Sequence, residues 1–485
     1  MIILLLIIPL LTSLVVVLLS PEKARNAALA SSMVNLLLTL GMLVGQDGTS
    51  ATVDVQWIPS LGIRFSLAMD GISFLMVLLT NLMMPFIIGS TDIDKNYPSS
   101  FYSLLLFMQM GLLGVFTAQD GFLFYVFWEL TLIPIWFICL IWGGENRAEI
   151  TLKFFLYTLT GSLLMLVALI DVYLNTPGNH SFQLADLITA GARLDEVEQG
   201  LIFWALFLAF AIKIPIFPFH SWQPDTYSSA PTTGTMMLSA LMLKMGTYGL
   251  IRWLLPLVPV GVQMWGNVAM VMAVIGILYA AGLALTQKEF KRLLAYSSMS
   301  HVGLIAAGSL TVSTMGIQGA VFQMFSHGLI VFGLFYVVHL ISKRASFKTL
   351  QDLGGLRNTA PQLATSFLLL ILGSIALPLT SGFVGEYLLI SALVKHNFWI
   401  GAAAGISIIL GAVYMLRTFQ ITMSGDVTSV AQHFSDLTTS EKLILYPVIG
   451  LILLLGVFPA PLLSITESVA NQIVVQSGNL INLTP

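Results

Sequence analysis

Lys213 stands in the middle of an apolar segment, Phe207-Leu-Ala-Phe-Ala-Ile-Lys-Ile-Pro-Ile-Phe-Pro-Phe-His220, directly ahead of Pro215 and Pro218. A charge at bilayer depth costs from about 3 to more than 10 kcal/mol, and such residues by default mark ion or proton pathways. The chain repeats the pattern. Glu129 lies in Phe124-Tyr-Val-Phe-Trp-Glu-Leu-Thr-Leu-Ile-Pro134, and Lys244 in Leu241-Met-Leu-Lys-Met-Gly-Thr-Tyr248. Glu386 closes the run Ala376-Leu-Pro-Leu-Thr-Ser-Gly-Phe-Val-Gly-Glu386. His301 follows Tyr296-Ser-Ser-Met-Ser300, and His327 lies deep in an apolar stretch with Gln323 one turn earlier. Carboxylate, amine and imidazole together suit a proton wire better than a nutrient site. Desolvation and neighbouring charge reset the proton affinity of the first two, and an ordinary imidazole titrates near pH 6.5.

Each residue also has a plainer reading. Glu129 and Lys213 could form a static ion pair that locks two helices, although buried pairs are weak stabilisers. Lys213 and Lys244 could snorkel toward a helix end, but each is placed deep in its segment. Glu386 could be a permanently protonated acid hydrogen-bonded to opened backbone. His301, His327 and His220 could be structural histidines. His220 is seven residues from Lys213 and shares its face only if the helix continues past the prolines. His339, His180, His396 and His433 read as solvated. Asp70, Asp171, Arg252 and Arg417, near predicted helix ends, read as interfacial anchors. Haem ligation by His301 and His327 is conceivable, but no spacing favours it.

The elements that must position these groups are transmembrane helices. Of the 485 residues, 57% are hydrophobic and 9% charged, against about 25% charged in soluble domains. The expectation is an all-α polytopic membrane protein. Spans need about 20 apolar residues. Fourteen are read, roughly 2–20, 27–45, 69–91, 101–118, 121–142, 151–174, 200–221, 229–255, 262–286, 292–312, 316–341, 362–394, 399–421 and 441–464. The first is read as a retained span rather than a signal peptide. Asp120 is placed to cap the fifth. The loop 175–199, with Asp186, Asp195, Glu196 and Glu198, is expected to hold a short surface helix. The region 46–68 is the other long extramembrane stretch.

Net charge is −3, which leaves no basic surface for nucleic acid. One cysteine, Cys139, excludes an intrachain disulfide and an iron–sulfur cluster held by this chain alone. No glycine-rich phosphate loop lies between a strand and a helix, and no metal-ligand cluster is evident. With the N-terminus outside, Lys23, Arg25, Lys95, Arg147, Lys153, Lys288, Lys291, Arg292, Lys343, Arg344, Lys348, Arg357, Arg417 and Lys442 fall at cytoplasmic ends. Only Arg64, Arg193, Arg252 and Lys395 fall outside. That bias predicts that both termini face the periplasm, and the expected location is the inner (plasma) membrane.

Helices seven and twelve each carry a proline break near a buried charge. They lie an odd number of helices apart, so they run in opposite directions. This suggests inverted five-helix repeats, helices 4–8 and 9–13, with an ion site at the interface. The organisation expected is 1–100 for helices 1–3, 101–255 for the first repeat, 256–425 for the second, and 426–485 for helix 14 and a tail.

Three stretches resemble a known family. They are Phe127-Trp-Glu-Leu-Thr-Leu-Ile-Pro134, Lys213-Ile-Pro…Pro-Phe-His220-Ser-Trp-Gln-Pro-Asp225…Ala230-Pro231, and Phe290-Lys-Arg-Leu-Leu-Ala-Tyr-Ser-Ser-Met-Ser-His301. They resemble the antiporter-like subunits of complex I and of Mrp-type cation/proton antiporters. Gly382-Phe-Val-Gly-Glu386 is similar to the subunit M branch, where subunits L and N and the Mrp proteins usually place lysine. The resemblance implies a membrane-arm subunit that pumps protons while flavin, iron–sulfur clusters and quinone act in partner chains. It implies neighbours of the L and N types, surrounding lipid, and no cofactor or metal in this chain. Glu129 and Lys213 look like the family's switching pair, Lys244 like its central lysine and Glu386 like its exit-side acid. His301 and His327 match relay positions of the second half. The alternative is a subunit of an Mrp-type sodium/proton antiporter, and a third reading is a non-pumping spacer. Leu377-Pro-Leu-Thr380 departs from the pattern, since many relatives have glycine after the proline.

Overall fold

The computed structural model describes residues 1–44, 52–91 and 97–481. Lys95, counted among the basic residues above, lies outside the described residues. Helices dominate: α1 (Ile2–Val16), α2 (Pro21–Val44), α3 (Gly71–Ser90), α4 (Pro98–Thr117), α5 (Gly121–Trp142) and α6 (Arg147–Leu174). A short α7 (Leu184–Gly191) fills the acidic loop, as expected, and α8 (Glu196–Lys213) and α9 (Trp222–Ser229) follow. Residues 232–257 form one composite helix, α10, in which π-helical stretches Met237–Met242 and Leu250–Leu254 interrupt α-turns. Then come α11 (Pro259–Thr286), α12 (Phe290–Ser309), α13 (Thr314–Arg344), α14 (Pro361–Ser374), α15 (Ser381–His396), α16 (Phe398–Met423), α17 (Thr439–Val457) and α18 (Ala460–Ile481).

Nine helices among the described residues are long and apolar enough to cross a membrane, and Ile2–Val16 and Pro361–Ser374 are shorter apolar helices. The protein is a multi-pass helical membrane protein. Those that fall short of that length and apolarity include α8, α10, α12 and α15. They are the broken, π-bulged or polar helices that carry Lys213, Lys244, His301 and Glu386.

Three expectations change in detail. The seventh span is not one helix: α8 ends at Lys213, the chain runs irregularly through 214–221, and α9 begins at Trp222. Pro215 and Pro218 cannot donate backbone bonds, so His220 leaves the face of Lys213. The last span stops at Val457, and a further 22-residue helix, α18, follows where a tail was expected. Its residues Glu467, Asn471, Gln472 and Gln476 interrupt the apolar run, which hides it from a hydropathy reading. Residues Thr52–Ile58 and Ile63–Ala68 form an antiparallel hairpin, β1 and β2, unforeseen because it is too short to stand out beside the spans. Arg64 bonds both oxygens of Asp54 at 2.7 Å across it. That hydrogen bond holds the Asp54 carboxyl below its ordinary value. Its support for the hairpin is therefore present above about pH 4 and fades as pH falls through the lowered folded value.

Capping fixes the helix starts on the hairpin face. Asp120 accepts from Phe122 N and Leu123 N, as expected, and also from Arg64 N, tying the hairpin to α5. Asp70 accepts from Ile72 N and Ser73 N. Its second oxygen meets Arg252 Nη1 at 2.6 Å, so these two anchors are partners that join α3 to the end of α10. Asp70→Asn, which keeps a cap acceptor but loses the charge, should cost about 1–3 kcal/mol, and Asp70→Ala about 1 kcal/mol more. Thermal unfolding of the purified variants ranks them; equal melting of both variants and the parent would show that neither the cap nor the pair contributes.

Candidate functional site

Lys244 is 1% exposed. An ammonium there must be solvated by protein atoms. One partner comes from its own helix: the π-turn places the Ser239 carbonyl 2.6 Å from Nζ, five residues back. π-Bulges occur frequently at such sites because they release carbonyls from the regular ladder. The other partner is His327 Nδ1 on α13, at 2.9 Å. With Lys244 donating to Nδ1, His327 carries its proton on Nε2, which faces Ser298 Oγ of α12 at 3.2 Å.

The line continues. His301 and His327 have ring centroids 6.0 Å apart. His301 Nδ1 meets Glu386 Oε1 at 2.7 Å, and Gln323 Nε2 reaches the same oxygen at 3.4 Å. His327 and Glu386 are 2% and 3% exposed. Four of the residues singled out in the sequence thus form one line from α10 through α13 and α12 to α15, buried at every member but His301, which is half-buried. Three of its members can each hold or release a proton in either direction, and the fourth, Lys244, is the amine at its head.

Glu129 and Lys213 are arranged differently. Lys213 is 2% exposed, and its Nζ lies 5.6 Å from the centroid of the Trp128 ring, a cation–π contact. Glu129, one residue on, is half-buried, and its Oε1 has no hydrogen-bond partner. The two charges influence each other, but they do not form an ion pair within 4 Å. His220 lies in the break, packed at 5.1 Å against the ring of Tyr279 on α11, with Nδ1 unpartnered. It joins neither cluster.

Both broken helices reuse the same backbone device. After α8, Ile216 N reaches back to Ala211 O at 2.8 Å; after α14, Leu377 N reaches back to Leu372 O at 3.0 Å. The Ala211 carbonyl, which Pro215 leaves free, is thereby taken up again. Trp222 Nε1 satisfies Ile212 O at 2.8 Å. Irregular backbone is tolerated in a membrane where it is buried in this way. At the second break Leu379 takes φ +76°, the left-handed region that suits glycine, so the departure noted in the sequence is a strained position.

Sequence reasoning missed several partners. Trp128 was quoted only as a motif residue. Ser298 and Ser297 were quoted ahead of His301 without a role, and Ser297 accepts from Tyr414 Oη at 3.0 Å. Polar residues on the inner face of α12 were the available signal. Among the described residues no group of three or more His, Cys, Asp or Glu is placed to hold a metal ion.

The profile of the family described as NADH:quinone oxidoreductase/Mrp antiporter, TM, matches residues 118–411. That segment runs from the cap of α5 into α16 and contains every residue of the site. The chain belongs to this family. Among its relatives in the family is the NADH-quinone oxidoreductase subunit M of Rickettsia typhi, 38% identical over 444 residues, covering 90% of this chain and 89% of that one. A chain of respiratory complex I from Thermus thermophilus with bound NADH superposes with a TM-score of 0.90 at 30% identity, over 98% of this chain and 100% of that one. A chain of the Mrp complex from Dietzia sp. DQ12-45-1b gives a TM-score of 0.85 at 20% identity over 99% of each chain. At that identity it shares the fold. The antiporter-like resemblance read from the motifs is thus borne out.

The second break positions Glu386, and its geometry is testable. A Cβ on Gly382 would lie 2.1 Å from Gly373 O, so Gly382→Ala should force the two half-helices apart and cost about 1–3 kcal/mol. Leu379→Gly removes left-handed strain of about 1–2 kcal/mol against about 0.5–1 kcal/mol of added chain entropy. It should melt no lower than the parent. Opposite shifts in thermal unfolding are expected; a Gly382→Ala protein as stable as the parent would contradict the packing.

Proposed function

We propose that this chain is a proton-translocating membrane-arm subunit of a respiratory NADH:quinone oxidoreductase. It acts as part of a translocase whose redox groups sit in other chains. The observation that carries the reading is the buried line Lys244–His327–His301–Glu386. A structural pair would need two such residues; a pathway needs a series.

The chain's own residues then act as follows. Glu129 stabilises the charge on Lys213. When a change in a neighbouring subunit draws Glu129 away, Lys213 loses that support in an apolar setting and gives up its proton. The proton moves through Lys244 to His327 and His301, and Glu386 releases it to the outer face. His220, set apart against Tyr279, serves at most as a side branch. The segments 101–255 and 256–425 act as the two inverted halves, which the matching backbone bonds at the two breaks support. The membrane is the inner (plasma) membrane, the termini face the periplasm, and the neighbours are L- and N-type subunits. Glu386, where Mrp proteins usually carry lysine, favours this reading over a sodium/proton antiporter.

Two tests follow. Glu129→Gln and Lys213→Ala should each lower proton pumping per NADH by about tenfold or more while the complex assembles. Glu386→Gln should do the same and Glu386→Asp should be milder. Full pumping by all of these assembled variants would make the charges structural. For topology, cysteines placed near Lys23 and Arg344 should resist an impermeant thiol reagent added to intact cells; labelling of both from outside would reverse the orientation.

A further inference from the structure

A cavity of about 280 Å³ opens at the ends of α11 and α16, on the face opposite the hairpin. Its rim includes Thr286, Gln287, Lys288, Gln351 and Arg417, and its walls reach Tyr414 and Thr418. Tyr414 is 2% exposed and Thr418 1%, so the cavity runs from solvent to groups deep in the bundle. Nothing in the function proposed above uses it.

Its inner end meets the buried line. Tyr414 Oη donates to Ser297 Oγ at 3.0 Å, and Ser297 is 3% exposed. His301 follows Ser297 by four residues on α12, one turn on and on the same face. His301 Nε2 is buried and has no partner, while Nδ1 of the same ring holds Glu386. A buried unpartnered ring nitrogen one helical turn from a hydroxyl-bearing residue is a polar site of the kind that holds an ordered water. We propose that this cavity is a proton inlet from the cytoplasmic face, that Tyr414 and Ser297 are its inner hydroxyl relay, and that it loads the His301–Glu386 pair. The inference rests on the proton-translocation reading above and its orientation.

The transfer balances without any charged tyrosine. A hydronium formed in the cavity gives a proton to Tyr414 Oη and is left as water, as the existing hydroxyl proton passes to Ser297. Ser297 in turn passes its own proton to the water at His301 Nε2, and the imidazole gains one proton. The two hydroxyls then rotate back. A hydroxyl chain of this kind conducts protons and gives no passage to a hydrated metal ion. Lys288 and Arg417, both exposed at the rim, make the mouth positive.

Two measurements on the assembled complex test this, with Glu386→Gln run in parallel. Tyr414→Phe keeps the ring and loses the relay hydroxyl. It should slow proton pumping per NADH by on the order of tenfold with assembly unchanged. In a Cys139→Ser background, Thr418→Cys should react with a small impermeant thiosulfonate from the cytoplasmic side of inside-out vesicles and not in intact cells. An anionic reagent should outpace a cationic one, and Arg417→Glu, which leaves Lys288 balanced by a carboxylate, should abolish that preference. Parental pumping by Tyr414→Phe, or an unreactive Thr418→Cys, overturns the inlet while the loss of pumping in Glu386→Gln leaves the main reading standing. Full pumping by Glu386→Gln removes the reading on which the inlet rests.

Discussion

An amine buried inside an apolar bundle has to find its hydrogen-bond partners in the protein, and Lys244 imposes that requirement on everything around it. Its Nζ takes one carbonyl from a π-turn of its own helix and one imidazole from α13. A regular α-helix would leave the Ser239 carbonyl engaged, so α10 is wound differently. A leucine in place of His327 would leave the amine with the Ser239 carbonyl alone, so a polar side chain of α13 is favoured at this depth. The His327 ring then needs Ser298, which fixes the rotation of α12 and, with it, the direction of His301. Satisfying one buried amine thus sets the positions of three helices.

The same logic explains the broken helices. Proline after Lys213 and around Leu377–Thr380 opens the backbone where charges lie, and the freed groups are taken up by i−5 bonds and by Trp222. Glu129 and Lys213 differ from the inner line in having fewer direct partners. Lys213 rests on the face of Trp128 rather than on a carboxylate. An ammonium over a ring is held less tightly than one in a close ion pair, so this end of the site is the easier one to switch, consistent with the role proposed for it.

The ends of the bundle are held by capped and paired groups: Asp70 with Arg252, Asp120 with Arg64 N, and Arg344 with Glu441 at 2.5 Å. These tie the helix ends to one another, and contacts such as Gly319 against Leu388 and Gly308 against Leu389 keep α12, α13 and α15 close enough for the His301–Glu386 bond. Stability at the rims and chemistry at the centre are in this sense one arrangement.

Local features were legible in the sequence. Apolar runs, prolines beside Lys213, the Asp120 cap and the charge bias are properties of neighbouring residues, and each carries its physical cost wherever the chain folds. They determined a helical membrane protein with charges at depth, and the motifs around Glu129, Lys213 and His301 indicated its family. Partnership was not legible. Lys244 and His327 are 83 residues apart, and His301 and Glu386 85; which polar groups meet depends on helix rotation and depth, which no short segment encodes. The hairpin, the α18 helix, the Trp128 contact, the Tyr414–Ser297 bond and the parting of His220 from Lys213 were decided in the same way by the tertiary structure, because each depends on where a distant element comes to rest or on how the backbone reorganises once hydrogen bonds are lost.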